Sequence, residues 1–196
     1  MKFIKGIFTL IGLLVVVGML FATVKYDLIS KAEKASKLDP QAMGAYMHMF
    51  EEVLTTGRST EAMIRKVKIN PEVSTEDVIE SMKSIAADAN MLQVGDSKMS
   101  VNSSIKEGGK RYIRILHYCS PSIAEKFIGY TEAFGAFMPC RILIVEDDKG
   151  DRWLYTMAME LMLFGGHTLP PEMMEMAEHV RDTMYSMMDL GAEGDF

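Results

Sequence analysis

The 196-residue chain has only two cysteines, and its 21 Lys and Arg residues are outnumbered by 27 Asp and Glu. Two cysteines cannot hold together a disulfide-rich miniprotein. Without a basic cluster the chain lacks the phosphate contacts that nucleic acids require, so nucleic-acid binding is excluded. The G-x-S-x-G elbow, the H-E-x-x-H zinc motif, the P-loop and the C-x-x-C pair are also missing. A non-enzymatic role is therefore favoured over catalysis.

One long hydrophobic run is present, close to the N-terminus. Residues 6–24 carry no charge, and a helix of this length is about 28 Å long, close to the ~30 Å hydrocarbon core of a bilayer. A cleavable signal peptide has a shorter apolar segment and a small-x-small exit, but bulky Leu20 stands where a small residue is needed. The sequence therefore predicts a retained signal-anchor over residues 1–25, which contacts the lipid bilayer through residues 6–24.

The lysines on either side of this run bear on its orientation. Lys2 and Lys5 precede the run, and a basic start on a very short tail favours an N-terminus inside the cell. The soluble part is then expected outside the cytoplasm, in the periplasm of a Gram-negative cell. The opposite orientation stays open, because four lysines follow the run closely: Lys25, Lys31, Lys34 and Lys37.

The remainder of the chain divides into a neck and a domain. Residues 26–57 predict a helical juxtamembrane neck, residues 60–190 a single domain, and residues 191–196 a tail. Within the domain, alternating and helical periodicities follow one another in the order β-α-β-β-α-β-β-α-α. Hairpin-linked strands with helices on one face predict an α+β, two-layer fold with a mostly antiparallel sheet. A doubly wound nucleotide-binding fold needs regular β-α alternation and a glycine-rich first turn, and neither is present.

Two short motifs resemble the domain-of-unknown-function 302 family. The segment YCSPSIA is similar to the family's C-x-P-x-x-A segment after a strand, and MPCR is similar to its L-P-C-R segment, with Met138 where Leu is usual. The resemblance covers roughly residues 60–190 and implies a compact α+β domain, often dimeric, with no established reaction. The positions that match are Cys119, Pro121, Ala124, Pro139, Cys140 and Arg141.

The two cysteines are the strongest candidates for chemistry. Cys119 closes one predicted strand and Cys140 opens the next, so antiparallel pairing of these strands predicts that both thiols meet at one end of the sheet. Strand alternation adds His117 and Met138 to the same patch. Thiolate and thioether donors select Cu(I), which makes the patch a candidate copper site. A disulfide, a redox-active dithiol and two buried cysteines acting as small hydrophobic side chains are the alternatives.

Arg141 follows Cys140 directly, so the two side chains are expected on opposite faces of their strand. We expect Arg141 to form an ion pair with a nearby carboxylate or, alternatively, to bind a small anion. The candidate carboxylates are Glu125, Asp147 and Asp148.

The chain contains 19 methionines, many of them in clusters. The clusters predict either a methionine-rich surface that gathers Cu(I) or docks a partner, or a core stripe made of adaptable apolar side chains. A docking surface suggests an accessory subunit, whose partner is a second copy of the chain or a membrane complex. The candidate surface residues are Met157, Met159, Met162, Met173 and Met176, and helical spacing places the last two in a stripe with Val180, Met184 and Met187.

Overall fold

A computed structural model describes residues 2–102 and 109–195 of the chain. The α-helices in these ranges are α1 Lys2–Lys25, α2 Leu28–Ala35, α3 Ala42–Thr56, α4 Thr75–Asp88, α5 Pro121–Tyr130, α6 Glu160–Phe164 and α7 Pro171–Glu193. The strands are β1 Ile64–Lys68, β2 Leu92–Asn102, β3 Lys110–Cys119, β4 Cys140–Glu146 and β5 Arg152–Met157. Two 3-10 helices, Glu61–Met63 and Glu132–Phe137, complete the described elements.

The five strands form one sheet in the order β1-β5-β4-β3-β2, and every neighbouring pair is antiparallel. The predicted α+β fold with a mostly antiparallel sheet is thus confirmed. The sequence predicts a strand over residues 91–101 that is interrupted at Gly95-Asp96. In the structure, β2 is continuous, and its register against β3 shifts between Gln93 and Gly95. The sequence also predicts a turn at residues 106–110, with the sequence KEGGK, and most of it lies outside the described residues.

One face of the sheet, which we call the helix-covered face, packs against α4 and α7. Its side chains include Leu116, Ile142 and Leu154, none of which is exposed to solvent. Burial of such apolar side chains is the main source of folding free energy. The opposite face, here called the outer face, carries side chains that are only partly buried, among them Ile115 and Leu143.

The two helices on the covered face are themselves in close contact. A Cβ added at Gly191 of α7 would lie 2.8 Å from Cγ of Met82 on α4, so a glycine is required for this approach. At the start of α4, the hydroxyl of Ser74 accepts a hydrogen bond of 3.1 Å from the backbone N–H of Asp77, and this cap satisfies a free helix donor. The sequence predicts Ser74 as the N-cap of this helix, with Asp77 three residues on, and the structure confirms it.

The N-terminal part of the chain is helical, as the sequence predicts. Residues Ile4–Lys25 form a helix that is long and apolar enough to cross a membrane. Residues 39–56, which contain α3, are attached to the domain: the Tyr46 hydroxyl donates to the carbonyl of Gly165 at 2.8 Å, and the Asp39 backbone N–H donates to the carbonyl of Gly166 at 2.8 Å. The other side of α3 exposes an apolar stripe made of Met43, Met47, Phe50 and Leu54.

Candidate functional site

The register of β3 and β4 places the two cysteines on opposite faces of the sheet. Tyr118, not Cys119, pairs with Cys140. Because side chains alternate along a strand, Cys140 joins Tyr118 on the helix-covered face and Cys119 projects from the outer face. The prediction that His117, Cys119, Met138 and Cys140 share one patch is therefore wrong, because it assumed a register that differs by one residue.

Both cysteines are free thiols, and their surroundings disfavour the thiolate form. Burial raises the pKa of Cys140 to about 11, with a smaller increase from the neighbouring Cys119 and a decrease from Arg141. Burial also raises the pKa of the Cys119 thiol. Nucleophilic and redox-active cysteines have lowered pKa values, so neither thiol has the environment of a catalytic or dithiol-redox cysteine. Side chains that leave from opposite faces also point apart, which disfavours a disulfide.

His117 lies on the outer face of β3, which has β4 on one side and β2 on the other. It pairs with Arg141 of β4 on one side and with Gly95 of β2 on the other. A Cβ at Gly95 would lie 3.0 Å from Cδ2 of the His117 ring, so the absence of a side chain at position 95 makes room for the imidazole. His117 is thus a neighbour of Arg141, and it is separated by the sheet from Cys140.

Met138 and Cys140 line a cavity of about 430 Å³ at the beginning of β4 and the end of β5. Its walls come from α5, the 3-10 helix Glu132–Phe137, α6 and α7, and they also include Ile115, Leu143 and Tyr155 of the outer face. We call it the sulfur-lined cavity, because six sulfur-containing side chains border it. These are Cys140, Met63, Met138, Met157, Met159 and Met162.

Three of the candidate surface methionines therefore face this cavity. Met159 is 1% exposed, and Met157 and Met162 are partly buried. The predicted methionine-rich surface is therefore wrong for Met159, whereas for Met157 and Met162, which border the cavity from partly buried positions, it stays a prediction.

Met173 lies on the side of α7 that faces the core, so the surface prediction is wrong for it, whereas for Met176 it stays a prediction. Met173 is buried and Met176 packs against the core from a partly buried position. The alternative prediction, a core stripe along the last helix, is confirmed by Met184 and Met187, which have no exposed surface.

Arg141 is exposed at the rim of the cavity and forms no ion pair with any residue that the structure describes. Two of the three predicted partners contact other residues. Asp148 contacts Arg111 at 3.5 Å, and the carboxylate of Asp147 accepts a hydrogen bond of 3.0 Å from Nε1 of Trp153. The ion-pair prediction for Arg141 is therefore wrong, and the anion alternative stays a prediction.

The other motif residues shape the backbone around the cavity. Pro121 occupies the first turn of α5, where its missing N–H costs no hydrogen bond. The sequence predicts Ser120 as the cap of this helix; Ser120 stands at the N-cap, but its side chain makes no capping hydrogen bond. The backbone N–H of Ala124 donates to the Ser120 carbonyl at 2.9 Å, and Pro139 follows a cis peptide bond that leads into β4.

A second, larger groove adjoins the sulfur-lined cavity beneath α3. It has a volume of about 690 Å³ and shares Met63, Met157 and Met162 with the cavity. Its polar end contains Tyr185, whose hydroxyl donates to the Glu160 carboxylate at 3.0 Å and accepts from the Met159 N–H at 3.1 Å. Burial raises the pKa of Tyr185 to about 12, so the hydroxyl stays protonated as a donor.

Phe134 and Phe137 border both spaces, and sequence reasoning missed them. They lie in the 3-10 helix Glu132–Phe137, and a three-residue spacing between two aromatics in the segment EAFGAF was the only available signal. In residues 2–102 and 109–195, no group of three or more His, Cys, Asp or Glu side chains is arranged to hold a metal ion.

Comparison with known proteins gives a family. The family model described as "Domain of unknown function DUF302" matches residues 65–190. The chain is similar to a crystal structure of an uncharacterized conserved DUF302 protein from Bacillus stearothermophilus, with 16% sequence identity and a TM-score of 0.48. That similarity covers 65% of this chain and 96% of the other. No curated protein matches the chain.

Proposed function

The chain belongs to the DUF302 family, a domain of unknown function, and we propose that it is a membrane-tethered binding module whose sulfur-lined cavity holds an apolar ligand. The proposal includes retention of α1 as a single membrane anchor and a domain on the outer side of the membrane. The length and composition of Ile4–Lys25 support the anchor, and Lys2 and Lys5 before the apolar run support the orientation.

The observation that carries the proposal is the composition of the cavity wall. About 430 Å³ lies within the range of roughly 300–1,000 Å³ that is typical of small-molecule sites. The wall is built from Ile, Leu, Val, Met and Phe side chains with few polar groups, so an apolar ligand displaces water without losing hydrogen bonds. Methionine side chains are flexible and polarizable, which suits a wall that adapts to its ligand.

A cavity-filling variant tests this function. Ala177 of α7 is buried and lines the cavity, so Ala177→Phe places a ring in the space that a ligand needs. Ala87 of α4 is exposed, and Ala87→Phe is the matched control. The full chain is reconstituted in lipid nanodiscs, and the fluorescence of N-phenyl-1-naphthylamine is titrated against empty nanodiscs. We expect saturable binding by the wild type and by Ala87→Phe, and its loss in Ala177→Phe.

The outcomes separate a blocked cavity from a misfolded domain. Near-ultraviolet circular dichroism reports whether Ala177→Phe keeps native packing, and Val180→Phe is the second variant if it does not, because Val180 lines the same cavity and is only partly buried. Equal probe binding by wild type and a folded cavity-filling variant, or no saturable binding by the wild type, would overturn the proposed function.

A second candidate ligand is Cu(I), which the sulfur lining of the cavity favours. The revised donor set keeps Cys140 and Met138 and replaces Cys119 and His117 by cavity methionines. One thiolate with neutral thioethers compensates the single charge of Cu(I), whereas a divalent cation would keep a net charge in an apolar space. Anaerobic Cu(I) titration against a competing chelator tests this: Cys140→Ser should lose the metal and Cys119→Ser should keep it. Equal retention by both variants would exclude the site.

Docking to a second copy or to a membrane complex stays a prediction. The feature that supports it is the exposed stripe of α3, Met43, Met47, Phe50 and Leu54. Cross-linking of the full chain in its native membrane, compared between wild type and Phe50→Ser, tests this role. If a cross-linked partner band survives the substitution, the exposed stripe of α3 is not the docking surface.

A further inference from the structure

Arg141 places a cation at the rim of a cavity that otherwise has no charged lining residue in the described chain. Its side chain is exposed and has no ion-pair partner in residues 2–102 and 109–195. The guanidinium is close enough to Cys140 to lower the pKa of that thiol against the larger effect of burial. Arg141, a cation without an ion-pair partner among the described residues, and the apolar side chains therefore line the same cavity.

The side chain next to Arg141 on the outer face does not neutralise it. His117 pairs with Arg141 across the β3–β4 ladder, and both side chains project from the outer face. An imidazole is neutral or cationic, so the rim keeps a net positive charge. A guanidinium presents its N–H donors as a planar fork, which matches the two oxygens of a carboxylate or a phosphate group.

We infer that the ligand of the sulfur-lined cavity is a single-chain anionic amphiphile. Its head, a carboxylate or a phosphate, pairs with Arg141, and its hydrocarbon tail lies among the methionine and phenylalanine side chains of the cavity. This inference rests on the proposed function and adds the ligand class. Each buried methylene should strengthen binding about fourfold, since apolar transfer is additive along a chain, and loss of a charged hydrogen bond at an exposed rim should weaken binding roughly five- to tenfold.

The experiment compares ligands that share a tail and differ in the head. Decanoate, decyl phosphate, decanol and decyltrimethylammonium are each equilibrated by dialysis with the full chain in nanodiscs of neutral phosphatidylcholine, and uptake by empty nanodiscs is subtracted. We expect decanoate or decyl phosphate to bind roughly five- to tenfold more tightly than decanol at the same free concentration, and the cationic ligand to bind most weakly. The preference between the two anions identifies the head group.

Three variants assign the effect to one residue. Arg141→Gln should remove the preference for the anion while leaving decanol binding unchanged, and Arg141→Lys, which keeps the charge but not the fork, should retain part of it. Lys83→Gln removes one positive charge from α4, away from the cavity lining, and is the matched control for net charge. It should bind decanoate as the wild type does.

The outcomes separate this inference from the proposed function. Equal binding of decanol and the anions, or an anion preference that survives Arg141→Gln, would overturn the pairing of the head group with Arg141. Neither result would contradict the proposal that the cavity binds an apolar ligand. Saturable binding of none of the four ligands would overturn both.

Discussion

The reactivity of Cys140 offers a direct measure of its burial in the cavity. The variant Cys119→Ser leaves Cys140 as the only thiol of the chain. Because the pKa of Cys140 is raised to about 11, about one thiol in a thousand is a thiolate at pH 8, against roughly one in four for an ordinary cysteine with a pKa near 8.5. Only the thiolate reacts with iodoacetamide, so we expect alkylation roughly 200-fold slower than that of a free thiol in a short peptide.

The pH dependence of this rate has a definite direction. The rate should rise about tenfold per pH unit from pH 7 to pH 10, because the thiolate fraction rises by that factor below the pKa. Intact-mass measurement of quenched samples gives the rate, and Cys140→Ser reports Cys119 separately. If Cys140 reacted within a few-fold of a free thiol at pH 8, or its rate levelled off below pH 9, the thiol would not lie in an apolar cavity and the redox alternative would regain support.

Three further changes test the fold, each by urea unfolding at equilibrium. Leu116→Ala should lower the free energy of unfolding by about 2–5 kcal/mol because Leu116 has no exposed surface, and a loss below about 1 kcal/mol would contradict that burial. Asp96→Asn should cost about 1–3 kcal/mol, since Asp96 holds Arg114 through hydrogen bonds of 2.9 and 2.7 Å. Arg114 lowers the pKa of Asp96. The free energy of unfolding of the wild type should therefore exceed that of Asp96→Asn above pH ~4, and the difference should disappear as the pH falls through the lowered pKa. A difference that persists in acid would argue against the ion pair of Asp96 and Arg114. Gly191→Ala should lower the free energy of unfolding by about 1–3 kcal/mol, because the added methyl group crowds Met82. The double variant Gly191→Ala, Met82→Ala should lose less than the sum of the losses of the two single variants.

Local elements followed from the sequence because their signals are local. The sequence predicts a strand over Cys140–Glu146, and β4 has these bounds. Its apolar residues alternate, with Ile142 and Ile144 buried and Leu143 and Val145 partly buried. The start of α4 follows from the hydroxyl of Ser74 and the backbone N–H of Asp77, which are three residues apart. These features depend on contacts within a few residues, so composition and spacing contain most of the information.

The candidate site was predictable only in part, because its geometry depends on pairing across the sheet. Alternation states which residues of one strand share a face, but it does not give the register against the next strand. Pairing of Tyr118 with Cys140 moves Cys119 to the far face, and no feature of either segment encodes this choice. Met138 and Met162 likewise line the same cavity because segments that are distant in sequence pack together.

The attachment of α3 has a mechanical consequence. Tyr46 of α3 and Asp39 just before it donate hydrogen bonds to Gly165 and Gly166, which directly follow α6. Met162 of α6 forms part of the cavity wall. In the proposed membrane-anchored form, a force on α1 would therefore reach the domain next to α6. It would either break these two hydrogen bonds or displace α6 and deform the sulfur-lined cavity.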